Sequence, residues 1–144
     1  MHVKIVNVDS ILKLRHKVLR KGKPFESCFY KEDRISSTIH LAAINKKNIV
    51  SCATFYQEKN IHFAHKNSFR LRGMATEEEF RKKGFGKLLL ENAEKIISEK
   101  GCNSLWCNAR IKAVPFYLSC GYKIIGQLFD IYGIGLHYMM FKNI

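Results

Sequence analysis

Proline is almost missing from this sequence: among 144 residues only Pro24 and Pro115 occur. No proline-, serine- or glycine-rich stretch, no low-complexity segment and no internal repeat interrupts the chain, so a linker between two domains is not expected and residues 1–144 read as one domain. Long apolar runs are also lacking. The stretch from Ile124 to Phe141 comes closest, but Gln127, Asp130 and His137 break it, which argues against a membrane-spanning helix. The opening "MHVKIVNVDSILKLR" has no basic segment followed by an apolar one, so a secretory signal is not expected and a cytoplasmic location is. The five cysteines include no CxxC pair and no Cys/His set at zinc spacing; they read as reduced core residues, and no metal is expected.

Acidic residues are the other scarcity. Asp and Glu number 12 against 25 Lys and Arg, a formal charge of +13. Such a field favours an anionic partner: nucleic acid, an acidic membrane surface or a phosphorylated cofactor. Charge does not choose among them. Hydrophobic residues make up 47% of the chain, enough for a packed core.

What is present alternates between strand and helix periods. "VKIV" reads as a strand, then a helix capped by Asp9 or Ser10 carries Ile11, Leu14, Val18 and Leu19 inward. "KGKPFESCFYKEDRISS" is a long polar loop of the kind that often carries function. "TIHLAAI" and "NIVSCATFYQ" form a hairpin around "NKK", and Ser68–Ala75 is a further strand with Arg70 and Arg72 on one face. From Phe85 a helical period places Leu88, Leu89, Ala93, Ile96 and Ile97 inward, with Gly101 past its end. "SLWCN" is a short buried strand, Ile111–Cys120 a helix with Pro115 in its first turn, and "YKIIGQLF" and "LHYMMF" are closing strands. Helices separate some strands while others pair as neighbours, which predicts an α/β (α+β) fold: a mixed sheet with helices on both faces.

The segment "RKKGFGKLLL", Arg81–Leu90, holds the densest chemistry. Its start fits an RNA-binding RNP1 strand, but Lys87 and Leu90 stand where aromatics should stack on bases, and the period after Phe85 is helical. A Walker A loop fails because Leu88 follows Gly86-Lys87, and GxGxxG fails at Leu89. What remains is a glycine-softened helix start. Its free amides, the helix dipole and the charges of Arg81, Lys82, Lys83 and Lys87 form a cradle for a pyrophosphate.

Arg81-Lys82-Lys83-Gly84-Phe85-Gly86 after a long strand resembles the acyl-CoA loop of the GNAT superfamily of N-acyltransferases. "NARIKAVPFYLSCGY", Asn108–Tyr122, resembles that family's segment after its fifth strand, and "GQLFDIYGIGLHYMMFK" resembles a C-terminal strand pair of some members. The order of elements is similar over almost the whole chain. The resemblance implies a mostly antiparallel sheet of six to seven strands, splayed between strands 4 and 5, with acetyl-CoA in the gap. Backbone at Met74, Ala75 and Thr76 is then expected to hold the pantetheine arm. Arg81, Lys82, Lys83, Gly84, Phe85, Gly86 and Lys87 are expected to hold the pyrophosphate, and Asn108 and Phe116 to line the far wall. Glu77, Glu78 and Glu79 are expected to point to solvent, away from the phosphates.

The implied reaction is direct attack of a primary amine, on a small molecule or peptide, on the thioester in a ternary complex. Tyr117, in the position of the family's tyrosine, is the expected hydrogen-bond donor to the departing CoA thiolate. For the base, His137 and Glu26 are the main candidates, with Asp33 in the same loop as Glu26. Arg20, His40 and Arg72 are expected at the acceptor, and Arg15 as a further arginine facing it. Neither nucleic acid nor membrane is an expected partner, and the state is a monomer or homodimer. Two other readings stand beside the enzyme: a non-catalytic acyl-CoA-binding module and a basic nucleic-acid-binding protein.

Overall fold

A computed structural model describes residues 2–63 and 67–144. Strands β1 (His2–Val6), β2 (Ile39–Asn45), β3 (Asn48–Gln57), β4 (Ser68–Thr76), β5 (Ser104–Arg110), β6 (Lys123–Ile131) and β7 (Gly135–Asn143) form one sheet in the order β1-β2-β3-β4-β5-β7-β6. Helices α1 (Leu12–Leu19), α2 (Phe85–Glu99) and α3 (Val114–Ser119) complete the regular structure, with short 3-10 turns between elements. This is the mixed, mostly antiparallel sheet expected; among the described residues only β4 and β5 pair in parallel.

The two faces of the sheet follow from alternation along the strands. Leu41, Ala43, Ala53 and Phe55 pack with Leu89, Leu90, Ala93 and Ile97 of α2 and with Val114 and Tyr117 of α3. Their neighbours Ala42 and Cys52 point the other way and pack with Ile11, Leu12 and Leu14 of α1. Leu88 is only half-buried, while Leu90 is fully buried: the inward stripe of α2 lies slightly rotated from the expected one.

Three local expectations need correction. Neither Asp9 nor Ser10 caps α1. The Asn7 side chain accepts from the Ser10 amide at 3.3 Å and opens a 3-10 turn at Val8–Ser10, from which α1 continues. The segment Ile111–Cys120 is not one helix. A 3-10 turn at Ile111–Ala113 precedes α3, so Pro115 falls in the first turn of the shorter helix. Strand β6 starts one residue later and ends two later than "YKIIGQLF", and at Gly126 (φ +81°) within it the β6–β7 register shifts between Ile125 and Phe129.

Two irregularities position the site. Strands β4 and β5 pair only at Ser68–Ser104, Phe69–Leu105 and Arg70–Trp106, and beyond Arg70 they part. The joined end is clamped: Arg70 lies over the Trp106 ring, and the Trp106 indole donates to the Glu58 carbonyl at 2.9 Å. Second, the β3–β4 register shifts between Cys52 and Thr54, so Gly73 and Met74 both face Ala53. Gly73 has φ +66°, and a Cβ there would stand 2.9 Å from Nε of Arg15. This bulge reverses the facing of β4. Leu71 packs on the α2 side and Ala75 on the α1 side, although residues four apart on a regular strand share a face.

Candidate active site

The gap between β4 and β5 opens into a cleft of about 190 Å³. Met74 and Arg72 come from one strand, Asn108 and Arg110 from the other, Phe116 and Tyr117 from α3, and His137 from β7. Gly86, in the first turn of α2, abuts this wall: a Cβ there would meet the Phe116 ring at 3.0 Å. The helix start, β4 and α3 therefore meet at one mouth of the cleft.

At that mouth the loop 81–84 is exposed, with Lys82 (φ +59°) and Gly84 (φ +88°) both left-handed. Gly84 is the N-cap of α2 and no side chain caps it. Leu88 is the first amide to bond back into the helix, to the Gly84 carbonyl at 3.0 Å, which leaves the first-turn amides free for an anion. Arg81 donates to the Thr76 carbonyl at 3.3 Å, tying the loop to the end of β4. Glu78 and Glu79 are exposed, and Glu77 is paired with Lys17 at 2.7 Å, so the three carboxylates do not close the cradle. Ala75 is buried, and its carbonyl accepts from Ser51, whose hydroxyl also contacts that of Thr76 at 2.7 Å.

Deeper in, the Asn108 side-chain oxygen is buried and lacks a hydrogen-bond partner among the described residues. A buried amide acceptor left unpaired costs about 1–3 kcal/mol. This acceptor and the free amides of α2 both fit a long ligand with a polar arm and a phosphate end, as an acyl-CoA has. Tyr117 is 6% exposed, with the Phe116 and Tyr122 rings edge-on to it. Burial, with the Cys107 thiol as polar neighbour, raises the Tyr117 phenol well above its ordinary value, so it keeps its proton. Burial likewise pushes the Cys107 thiol up to about 12.

His137 is 4% exposed and stacks on Phe129. Its Nδ1 lies 2.7 Å from the Gly135 carbonyl, which can only accept. The neutral ring therefore carries its proton on Nδ1 and keeps a lone pair on Nε2.

Four sequence expectations fail by position. Glu26 sits exposed on the 3-10 turn Phe25–Cys28, outside the cleft lining. Asp33 does not face the cleft as a base; it is buried against Arg15 (Nη1–Oδ2 2.8 Å, Nη2–Oδ1 3.0 Å). Arg15 faces no acceptor, being 0% exposed and also bonded to the Cys28 carbonyl and Thr54. His40 is buried on β2. Its Nε2 donates to the Asp33 carbonyl at 2.8 Å, so its Nδ1 accepts from Thr54, also at 2.8 Å. Arg15, Asp33, Thr54 and His40 form one buried network under the loop, in which Nε of Arg15 alone has no partner among the described residues, and a buried charge needs such a partner set.

Other cleft residues were not foreseen. Cys107 lies on the strand read as "SLWCN", and Arg110 lies two residues past its expected end, because the strand runs on to Arg110 with Trp106, Asn108 and Arg110 alternating along it. Tyr30 comes from the long loop, where no period marks an inward residue. Its ring has the guanidinium carbons of Arg15 and Arg72 at 4.1 and 4.0 Å from its centroid.

Known proteins carry the same organisation. The Acetyltransferase (GNAT) family model matches residues 8–122. An uncharacterized N-acetyltransferase of Bacillus subtilis (strain 168), YitI, is 35% identical over 144 residues, spanning 100% of this chain and 97% of the relative. Among solved structures, an aminoglycoside 6'-N-acetyltransferase complexed with coenzyme A superposes with a TM-score of 0.79 at 16% identity, over 99% of this chain and 97% of that one. A Lactobacillus plantarum protein described as a putative N-acetyltransferase gives 0.79 at 19% identity, over 99% of each chain. At such identities the structural likeness speaks for the fold alone.

Proposed function

This chain belongs to the acetyltransferase (GNAT) family, an acyl-CoA-dependent acyltransferase by that membership, and from that premise we propose that it moves an acetyl group from acetyl-CoA to a primary amine of a small molecule or peptide. The observation that carries this reading is the parting of β4 from β5 beyond Arg70, with the uncapped start of α2 at one mouth and Tyr117 in the wall.

Acetyl-CoA supplies the thioester carbonyl that the amine attacks. The C–N bond forms as the C–S bond breaks; the amine loses a proton and the sulfur gains one. An alkylamine with a pKa near 10.4 costs about 4.6 kcal/mol to neutralise at pH 7. His137 takes that proton on Nε2, directly or through water, while the Gly135 carbonyl fixes its tautomer. Backbone N–H groups at the Gly73–Met74 bulge, displaced from regular pairing, are suited to the carbonyl oxygen as charge develops on it. Tyr117, held protonated by burial, donates to the sulfur. Arg81, Lys82, Lys83, Gly84, Phe85, Gly86 and Lys87 bind the pyrophosphate, Met74, Ala75 and Thr76 the pantetheine arm, and Asn108 and Phe116 its far side.

The acceptor of the aminoglycoside enzyme does not carry over. An aminoglycoside is a polycation, and among the described residues no Asp or Glu lines this cleft.

The test is release of free thiol from acetyl-CoA across a panel of primary amines, with wild type and Tyr117→Phe. We expect amine-dependent release, and a kcat about 10- to 100-fold lower in the variant, the range of one lost hydrogen bond to a charged group. Unchanged kcat removes Tyr117 from the chemistry. Binding of acetyl-CoA without turnover of any amine favours the non-catalytic module.

A further inference from the structure

Among the described residues the cleft wall carries four arginines, Arg20, Arg70, Arg72 and Arg110, and no carboxylate. Arg70 is neutralised by Glu58 at 3.1 Å. Among the described residues the other three have no ion pair. Nη1 of Arg20 and Nη2 of Arg110 converge on one oxygen, the Leu19 carbonyl at the end of α1, at 3.0 and 3.3 Å. Arg72 is held against the Tyr30 ring. The one buried carboxylate in the adjoining loop, Asp33, is fully engaged by Arg15.

Half-buried guanidinium groups repel when gathered without a counter-ion. Burial and Arg20 both pull Arg110 below its ordinary value, though it stays charged. The α1 carbonyl offsets only part of this, since a helix end carries about half a negative charge. The convergent donors suit a planar or tetrahedral oxyanion.

These arginines are not the pyrophosphate site. Arg20 and the Leu19 carbonyl belong to the end of α1, and Arg72 lies beside Tyr30, against which Arg15 of the α1 face also packs. The cradle is at the start of α2, which packs on the opposite face of the sheet. The cleft thus has one anion-binding end toward each face.

We propose that the acceptor amine carries its own anionic group, a carboxylate or a phosphate, which Arg20, Arg110 and Arg72 hold at the α1 end of the cleft while the amine reaches toward Tyr117. This rests on the acyltransferase reading for the amine but not for the anion.

The test is thermal unfolding of the protein saturated with CoA, so that the cradle is filled. Inorganic phosphate and succinate are added separately, with potassium chloride at matched ionic strength as baseline. At about ten times its dissociation constant, an anion that fits the site should raise the midpoint by about 5 °C. The rise should vanish in Arg20→Gln/Arg110→Gln and shrink in Arg20→Lys/Arg110→Lys, which keeps the charge and loses the fork. A rise with phosphate alone or succinate alone identifies the oxyanion. Circular dichroism and the CoA-induced shift report whether each variant is folded, and single Arg20→Gln serves if the double variant is not. No rise with either anion, or the same rise in wild type and glutamine variants, overturns the proposal. If CoA gives no stabilisation while the arginine-dependent rise persists, the acyl-CoA reading fails and the anion site stands. For any acceptor found by thiol release, Arg20→Gln should lower kcat/KM about 30-fold through KM, the loss of one charged hydrogen bond; a fall in kcat alone contradicts a binding role.

Discussion

On the α2 face of the sheet the buried residues are almost wholly apolar, and the positive charge stands outside, on the exposed loop 81–84. On the α1 face charge is taken inside: Arg15 is wholly buried, paired twice to Asp33 and joined through Thr54 to His40. Beside that buried network stand Arg20, Arg72 and Arg110 with no ion pair among the described residues. In the proposed reading the first face holds an anion with backbone amides and exposed lysine charge, a construction tolerant of change because water screens it. The second holds guanidinium groups in fixed places, which a desolvated charge pair underpins. On the two proposals together, one cleft binds two anionic molecules from opposite sides and keeps them apart.

This contrast is broken most severely at Asp33. Asp33→Asn leaves Arg15 buried without a counter-charge and should cost about 3 kcal/mol of stability, because removing one partner of a buried pair exposes the full desolvation penalty of the other. Denaturant unfolding measures it. The midpoint should fall while CoA still raises it, since the α2 cradle does not depend on the network. A loss below about 1 kcal/mol, the size of a surface ion pair, places the pair among groups that water already compensates.

A smaller effect sharpens the same comparison through pH. Burial lowers the His40 pKa from its ordinary 6.5, against the weaker pull of the Asp33 carbonyl. The folded state thus prefers neutral His40, and the unfolded chain binds the proton first as pH falls. His40 therefore contributes its full stability above pH 6.5, and that contribution drains away as pH falls through the lower, folded value. The geometry agrees: protonating Nδ1 would aim a donor at a Thr54 hydroxyl that already donates to it. In His40→Gln the midpoint should fall less steeply from pH 7 to pH 5 than in wild type. Equal slopes contradict the neutral, network-bound tautomer.

How far the sequence reached divides along the same line. The α2 face was legible because its signals are local: a helical period after Phe85, glycines at Gly84 and Gly86, and basic residues between them. The order of strands and the parting of β4 from β5 followed from the resemblance over the whole chain. The α1 face was not legible. Whether Asp33 faces a substrate or Arg15 depends on how the loop from Lys21 to Thr38 folds back over the sheet, and no periodicity governs that path. The same holds for Tyr30 and for His40, whose strand position said only that it alternates. Arg110 was within reach, since continuing the alternation of Trp106 and Asn108 brings it to the same face. The Gly73 bulge had one hint, a glycine inside a strand pattern.

The central claim is that the gap between β4 and β5, closed at one mouth by the start of α2, holds acyl-CoA. Thermal unfolding with acetyl-CoA, free CoA and neither tests it most directly. A ligand at 100 times its dissociation constant adds about 2.7 kcal/mol, a rise of several degrees for a chain of this size. The account predicts that rise with both acetyl-CoA and CoA. No rise with either would contradict it, and would leave the basic surface without an assigned ligand.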